Sequence, residues 1–199
     1  MRTYHETRNI TNLNHWDSAN ANGTNGRCSK PISWELRTGV DFATQELGNA
    51  DLNTGFGFDG ILSYRFMPHT SVFGGWGWHR FTSDDSFAGT NMDFEETGYT
   101  FGLEYLHPLG NTNLDFYLRG GGIYNHIEAE NNDGDIAADS DHGLGWQIEG
   151  GLAFDLGNRW ILKPGVRYRS LSRDIDVGNT TTDVDLTVFN TSIGISRTF

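Results

Sequence analysis

The chain has 199 residues, with 26 glycines, six tryptophans, 13% aromatic residues and a formal charge of −12. That length accommodates one all-β domain, and the acidity, with lysine only at Lys30 and Lys163, excludes a nucleic-acid interface built on clustered cations. The lone cysteine, Cys28, excludes an intrachain disulfide; the lack of any apolar run of about 18 residues excludes a transmembrane helix, but not a barrel, whose strands alternate.

Residues 1–31 open with "MRTYHETRNITNLNHWDSANANGTNGRCSK". They carry no apolar run followed by a small-residue cleavage site, so they do not read as a secretory signal. Rich in Asn and without strand or helix period, they are expected to form a flexible polar tail.

From residue 32 onward one unit recurs: about ten residues of alternation, then a break. The first segment sets Trp34, Leu36, Val40 and Phe42 against Glu35, Arg37, Gly39 and Asp41. The second sets Phe56, Phe58, Leu62, Tyr64 and Phe66 against Gly55, Gly57, Asp59, Ser63 and Arg65. The third is less regular, because Val72, Trp76 and Trp78 share a face while Phe73 and Phe81 fall on the other. The fourth opposes Tyr99, Phe101, Leu103 and Tyr105 to Glu96, Gly98, Thr100, Gly102 and Glu104. The fifth opposes Leu114, Phe116, Leu118 and Tyr124 to Asp115, Arg119, Gly121 and Asn125.

The sixth, "GLGWQIEGGLAFDLG", places Leu144, Trp146, Ile148, Leu152, Phe154 and Leu156 opposite Gln147, Glu149 and Asp155. The seventh places Trp160, Leu162, Val166 and Tyr168 opposite Lys163, Gly165, Arg167 and Arg169, and its Pro164 predicts a bulge or weak point, since proline lacks a ladder donor. The eighth places Phe189, Ile193, Ile195 and Phe199 opposite Asn190, Ser192, Gly194 and Ser196.

The breaks alternate in length. "MPHT", "HPLGNT" and "GNR" are short turns, whereas "QELGNADLN", "SDDSFAGTNMD", "EAENNDGDIAADSDH" and "DIDVGNTTTD" are expected to be long polar loops. Short turns at one end and long loops at the other are the layout of an eight-stranded antiparallel up-and-down transmembrane β-barrel over residues 32–199.

Which face meets lipid follows from composition. The polar face mixes Gly and small residues with Glu35, Arg37, Asp41, Asp59, Arg65, Glu96, Glu104, Asp115, Arg119, Glu149, Lys163, Arg167 and Arg169. Exposed glycine only weakens a strand, but the narrow interior of an eight-stranded barrel needs small residues beside a few large ones. These charges nearly balance in an otherwise acidic chain, as a mutually paired network filling the lumen would require. The opposite face is nearly uncharged, and its aromatic residues gather at two levels, as interfacial girdles do.

On these residues the chain resembles the small eight-stranded outer-membrane barrels of Gram-negative bacteria, the outer-membrane protein A and X type with the opacity and attachment–invasion proteins. The resemblance covers residues 32–199 and rests on the eight segments, the alternating turn lengths and the ending "SIGISRTF". Ile193, Ile195 and Phe199 match the C-terminal pattern by which such barrels are recognised for assembly, and Arg197 departs from it. The resemblance implies a bacterial outer-membrane location, a porin-family cell-envelope protein, contact with outer-membrane lipid and lipopolysaccharide, and a monomer. It also implies a structural, adhesion or surface-interaction role through the long loops.

Some barrels in this membrane modify lipid A, which would need a nucleophile and base near the outer leaflet. His79, His126 and His142 with Ser83, Ser140, Ser170 or Ser172 are the candidates, but no spacing among them matches the deacylase pattern, and the first long loop lacks the histidine an acyltransferase would need. No catalytic residue and no cofactor are therefore expected. The acidic loop offers Asp133, Asp135, Asp139 and Asp141 as hard oxygen ligands for a divalent cation. With Gly134 at the sixth position, an EF-hand would need acids at Ala129 and Ser140, so that motif fails. Arg80, outward near a long loop, suits a lipopolysaccharide phosphate or simple snorkelling. A lipid A enzyme, a narrow pore and a soluble lipocalin-like carrier are the alternative functions.

Overall fold

A strand lying in a bilayer needs a hydrogen-bonded neighbour on each edge, because lipid offers its backbone no partner. The computed structural model describes residues 31–47, 50–131, 133–177 and 180–199, and its sheet closes on itself. Its strands are β1 (Ile32–Ala43), β2 (Gly55–Met67), β3 (Thr70–Ser86), β4 (Gly89–Pro108), β5 (Leu114–Glu130), β6 (Ile136–Ser140), β7 (Gly143–Gly157), β8 (Trp160–Val177) and β9 (Thr180–Thr198). All pair antiparallel, and β1 closes the barrel by bonding to β2 on one edge and β9 on the other. The short β6 pairs with β5 and β8 above the start of β7, so the barrel wall is eight strands around. Apart from Pro31, the tail expected over residues 1–31 lies outside the described residues, as does Cys28.

Within the wall the alternation has the expected sense. Leu36, Leu62, Phe101, Leu118, Ile148 and Ile193 are exposed on the outer face. Aromatic residues pair at two heights there: Trp34 with Trp160 near the short turns, at 5.6 Å, and Phe56 with Trp78 and Trp146 with Tyr168 near the far end, at 5.5 and 5.4 Å. Asn158 and Arg159 both take positive φ (53° and 71°), which gives the primed two-residue hairpin that matches strand twist.

Two expectations are corrected. The stretches "SDDSFAGTNMD" and "DIDVGNTTTD" are not loops: β3 and β4 stay paired to Ser86 and Gly89, and β8 and β9 to Val177 and Thr180. The reason is a change of phase. Inside the bilayer the apolar residues face out, but beyond it water surrounds the strands and the apolar residues turn in. The switch is written in adjacent pairs such as Ile123 buried beside Tyr124 exposed, and Val188 buried beside Phe189 exposed. Phe81, out of phase with Trp76 and Trp78, belongs to the same inner apolar layer. Pro164 makes no bulge, since its pairing with Ile193 is regular and the register toward β7 is the same before and after it. It does mark the expected weak point: between Gly151 opposite Gly165 and Phe154 opposite Leu162 the β7 ladder skips Pro164 and Lys163.

Candidate functional site

A charge inside a narrow barrel has no water to lean on, so its energy depends on which charges lie within reach. In this structure twelve of the thirteen charged residues expected on the inner face are buried, Glu35, Arg37, Asp41, Asp59, Glu96, Glu104, Asp115, Arg119, Glu149, Lys163, Arg167 and Arg169; Arg65, at the short-turn mouth, is half-buried. Strand register brings opposite signs together: Glu104, Arg119, Glu149 and Arg167 are successive cross-strand partners on β4, β5, β7 and β8, and Arg37 sits opposite Asp59 on β1 and β2.

The charges form three tiers. Nearest the short turns, Lys163 Nζ donates to Glu35 (2.9 Å) and Glu104 (2.6 Å), and Arg119 donates to the same two carboxylates at 2.5 to 3.0 Å. Tyr117 lies beneath both cations, with Lys163 Nζ 4.4 Å and the Arg119 guanidinium 5.4 Å from its ring centre. In the middle tier, Arg167 grips Asp59 through two nitrogens at 3.1 and 3.2 Å, and Arg37 adds a third bond to Asp59 at 3.1 Å and pairs with Glu149. The Tyr117 hydroxyl donates to Glu149 at 2.8 Å. In the outer tier, Arg169 donates to both oxygens of Glu96 (2.7 Å each) and to Asp41 (3.0 Å), while Asn125 and Asn190 donate to Glu96 and Asp41.

His79 bridges the upper two tiers: Nδ1 lies 2.8 Å from Asp41 and Nε2 lies 3.3 Å from Arg167, a set satisfied when Nδ1 carries the proton. Room for this ring depends on glycine, since a Cβ at Gly57 would stand 2.0 Å from His79 Nδ1.

Above the charges Arg173 donates to the carbonyls of Asn125, Gly143, Leu144 and Ser172. Over it sits an apolar cap that includes Phe81, Met92, Phe94, Ile127, Leu171 and Leu186, joined by Leu47 and Ala50, which fold in from the segment after β1 and bond to each other's backbone.

Of the other catalytic candidates, His126 and His142 meet at 3.1 Å and the serines are dispersed. His126 and His142 are on the outer face, Ser83 and Ser140 are buried, Ser170 is half-buried and Ser172 is exposed. Asp133 and Asp135 are exposed in a turn whose backbone N–H groups donate to Asn131 Oδ1, and Asp141 is exposed. Only Asp139 of the four loop carboxylates joins a metal-competent group among the described residues, with His126 and Glu128. Arg80 pairs with Asp93 and lies 3.9 Å from Glu95. Sequence reasoning missed Tyr117, His79 and Arg173 as members of the interior; the odd-numbered positions they share with Arg119, Phe73 and Arg169 were the available signal.

A closed barrel with a polar interior, an apolar outer band and short turns at one end can be compared with known proteins. Residues 31–196 match the family model described as outer membrane protein beta-barrel domain. The chain belongs to this family. Among solved structures, the Neisserial surface protein A is similar over 84% of this chain and 97% of its own, at 17% identity and a TM-score of 0.61. Outer membrane protein W of E. coli aligns over 86% and 100% at 13% identity and 0.57, and OprG of Pseudomonas aeruginosa over 85% and 98% at 17% identity and 0.54. No curated protein matches the chain. The protein is therefore an integral β-barrel of the bacterial outer membrane, with its short turns facing the periplasm and its long hairpins facing outside.

Proposed function

We propose that the protein is a closed, non-enzymatic barrel that anchors in the outer membrane and presents elongated hairpins for contact at the cell surface. The observation that carries this reading is the filled lumen: ion pairs occupy it from Glu104 and Lys163 up to Asp41 and Glu96, and the apolar cap lies above them. Such an interior supports anchoring rather than conduction, because an ion entering it would have to displace charge pairs whose rupture is costly. The strands supply the display. A tilted strand needs about 9–11 residues to span the bilayer, and β4 has 20 and β9 has 19. That leaves roughly 8–11 residues of each, on the order of 20 Å of height at a 45° tilt, beyond the membrane.

The test has two parts. In planar bilayers the refolded protein is expected to give no steady conductance, and a stable channel would overturn the closed reading in favour of a narrow pore. Cells carrying the protein are expected to bind extracellular matrix or other cells better than cells carrying a version with residues 83–91 replaced by a two-residue turn. Equal binding would remove the display role.

A further inference from the structure

On the outer face above the upper aromatic girdle, β5, β6 and the link to β7 bring together side chains that the proposed display role does not use. His126 and Glu128 point outward from β5, and Asp139 points outward from β6, directly opposite Glu128 in the ladder. One ligand atom from each of the three lies within 4.8 Å of the others, and His126 Nε2 is 2.9 Å from Glu128 Oε1. On the other side of the ring, His126 Nδ1 is 3.1 Å from His142 Nε2, and the His142 ring is itself packed 5.3 Å from Tyr124.

We propose that this cluster binds a divalent transition-metal ion of the zinc class, with His126, Glu128 and Asp139 as ligands and His142 holding the His126 ring. A tetrahedral zinc ion places its ligand atoms about 3.3 Å apart. His126 Nε2 and Glu128 Oε1, now at 2.9 Å, therefore need to part slightly, and the widest separation, within 4.8 Å, needs to close by at most about 1.5 Å, which exposed side chains do readily. The donor set selects the metal. An imidazole beside two carboxylates suits zinc and its neighbours, whereas magnesium and calcium take shells of oxygen alone. The His142 contact is the arrangement that fixes a ligating imidazole through its second nitrogen.

Charge points the same way. Glu128 and Asp139 are directly opposed like charges, a destabilising pairing across strands, and among the described residues neither forms an ion pair with Lys or Arg; the nearby Arg80 is paired with Asp93. A bound cation would relieve that repulsion and tie β6, which lies in the acidic segment before β7, to the barrel wall at β5.

The experiment titrates the full chain, refolded in detergent micelles, with zinc chloride in 10 mM magnesium chloride, following heat by calorimetry. Wild type is expected to show a one-equivalent class of sites that His126→Gln and Asp139→Asn each weaken at least tenfold and that His107→Gln, at the periplasmic end, leaves intact. Identical isotherms for wild type and His126→Gln, or loss of the class in magnesium, would overturn the proposal. Should the variants fail to refold, X-ray absorption of zinc-loaded wild type decides. A shell of nitrogen and oxygen at about 2.0–2.2 Å with imidazole scattering is expected, and sulfur in the shell would move the ion to Cys28 and refute the site.

Discussion

Replacing Arg169 by Met tests whether the lumen is held by mutual neutralisation. Arg169 is fully buried and is the only cation bonded to Glu96 among the described residues, at 2.7 Å, besides bonding Asp41 at 3.0 Å. Without it Glu96 keeps one neutral donor, Asn125, and Asp41 keeps His79 and Asn190, so two buried carboxylates lose their cation. Breaking a buried pair from one side costs about 3–5 kcal/mol, equivalent to a shift of about a hundred- to five-thousand-fold in the unfolding equilibrium at 1.36 kcal/mol per decade. Urea unfolding in detergent micelles, followed by tryptophan fluorescence, reads that loss. The variant Arg169→Met with Asp41→Asn and Glu96→Gln removes the stranded charges as well and is expected to recover most of the stability, because neutral isosteres replace a buried pair at little cost. A single variant within about 1 kcal/mol of wild type, or a triple variant no more stable than the single, would refute the reasoning.

Gly57→Ala places a Cβ against the His79 ring, which Asp41 holds in place, and is expected to lose about 1–3 kcal/mol in the same assay. Gly120→Ala, where an added Cβ meets nothing within 4 Å, is expected to be neutral or mildly stabilising. At the outer end of β5, burial and then the neighbouring charges of Glu95 and Glu128 push the Glu130 carboxyl above the ordinary carboxylate value. A raised carboxyl favours the folded hairpin while it is protonated and loses that advantage as pH rises through its folded value. Glu130→Gln is therefore expected to slow hydrogen exchange at the tip of β5 at neutral pH, in the presence of chelator, with the difference from wild type closing in acid.

The barrel was legible because bilayer and strand each impose one period: Gln147 cannot share the outer face with its neighbour Ile148, and the short turns between strands carry Pro, Gly or Asn. What was not legible is the height at which the surroundings change. Val184, Leu186 and Val188 alternate as regularly as Ile193 and Ile195 but in the opposite phase, and a reading that keeps one phase sees the end of a strand where there is only the end of the lipid. Contacts across the lumen were also out of reach. Lys163 meets Glu35 at a separation of 128 residues, and the meeting depends on barrel diameter and stagger, which no single strand records.

The phase reversal also makes the protein its own depth gauge. Sinking by one pair of residues would carry Glu95 and Glu128 toward hydrocarbon, where a lipid-facing charge costs up to about 2–4 kcal/mol for a cation and less for an acid, and would strip oil from the girdle around Trp34 and Trp160. Rising would wet Tyr124 and Phe189 and drag the periplasmic rim inward. Because the boundary is drawn on β3, β4, β5, β8 and β9 alike, tilting is opposed as well as floating, and the hairpins leave the membrane at a fixed height and angle.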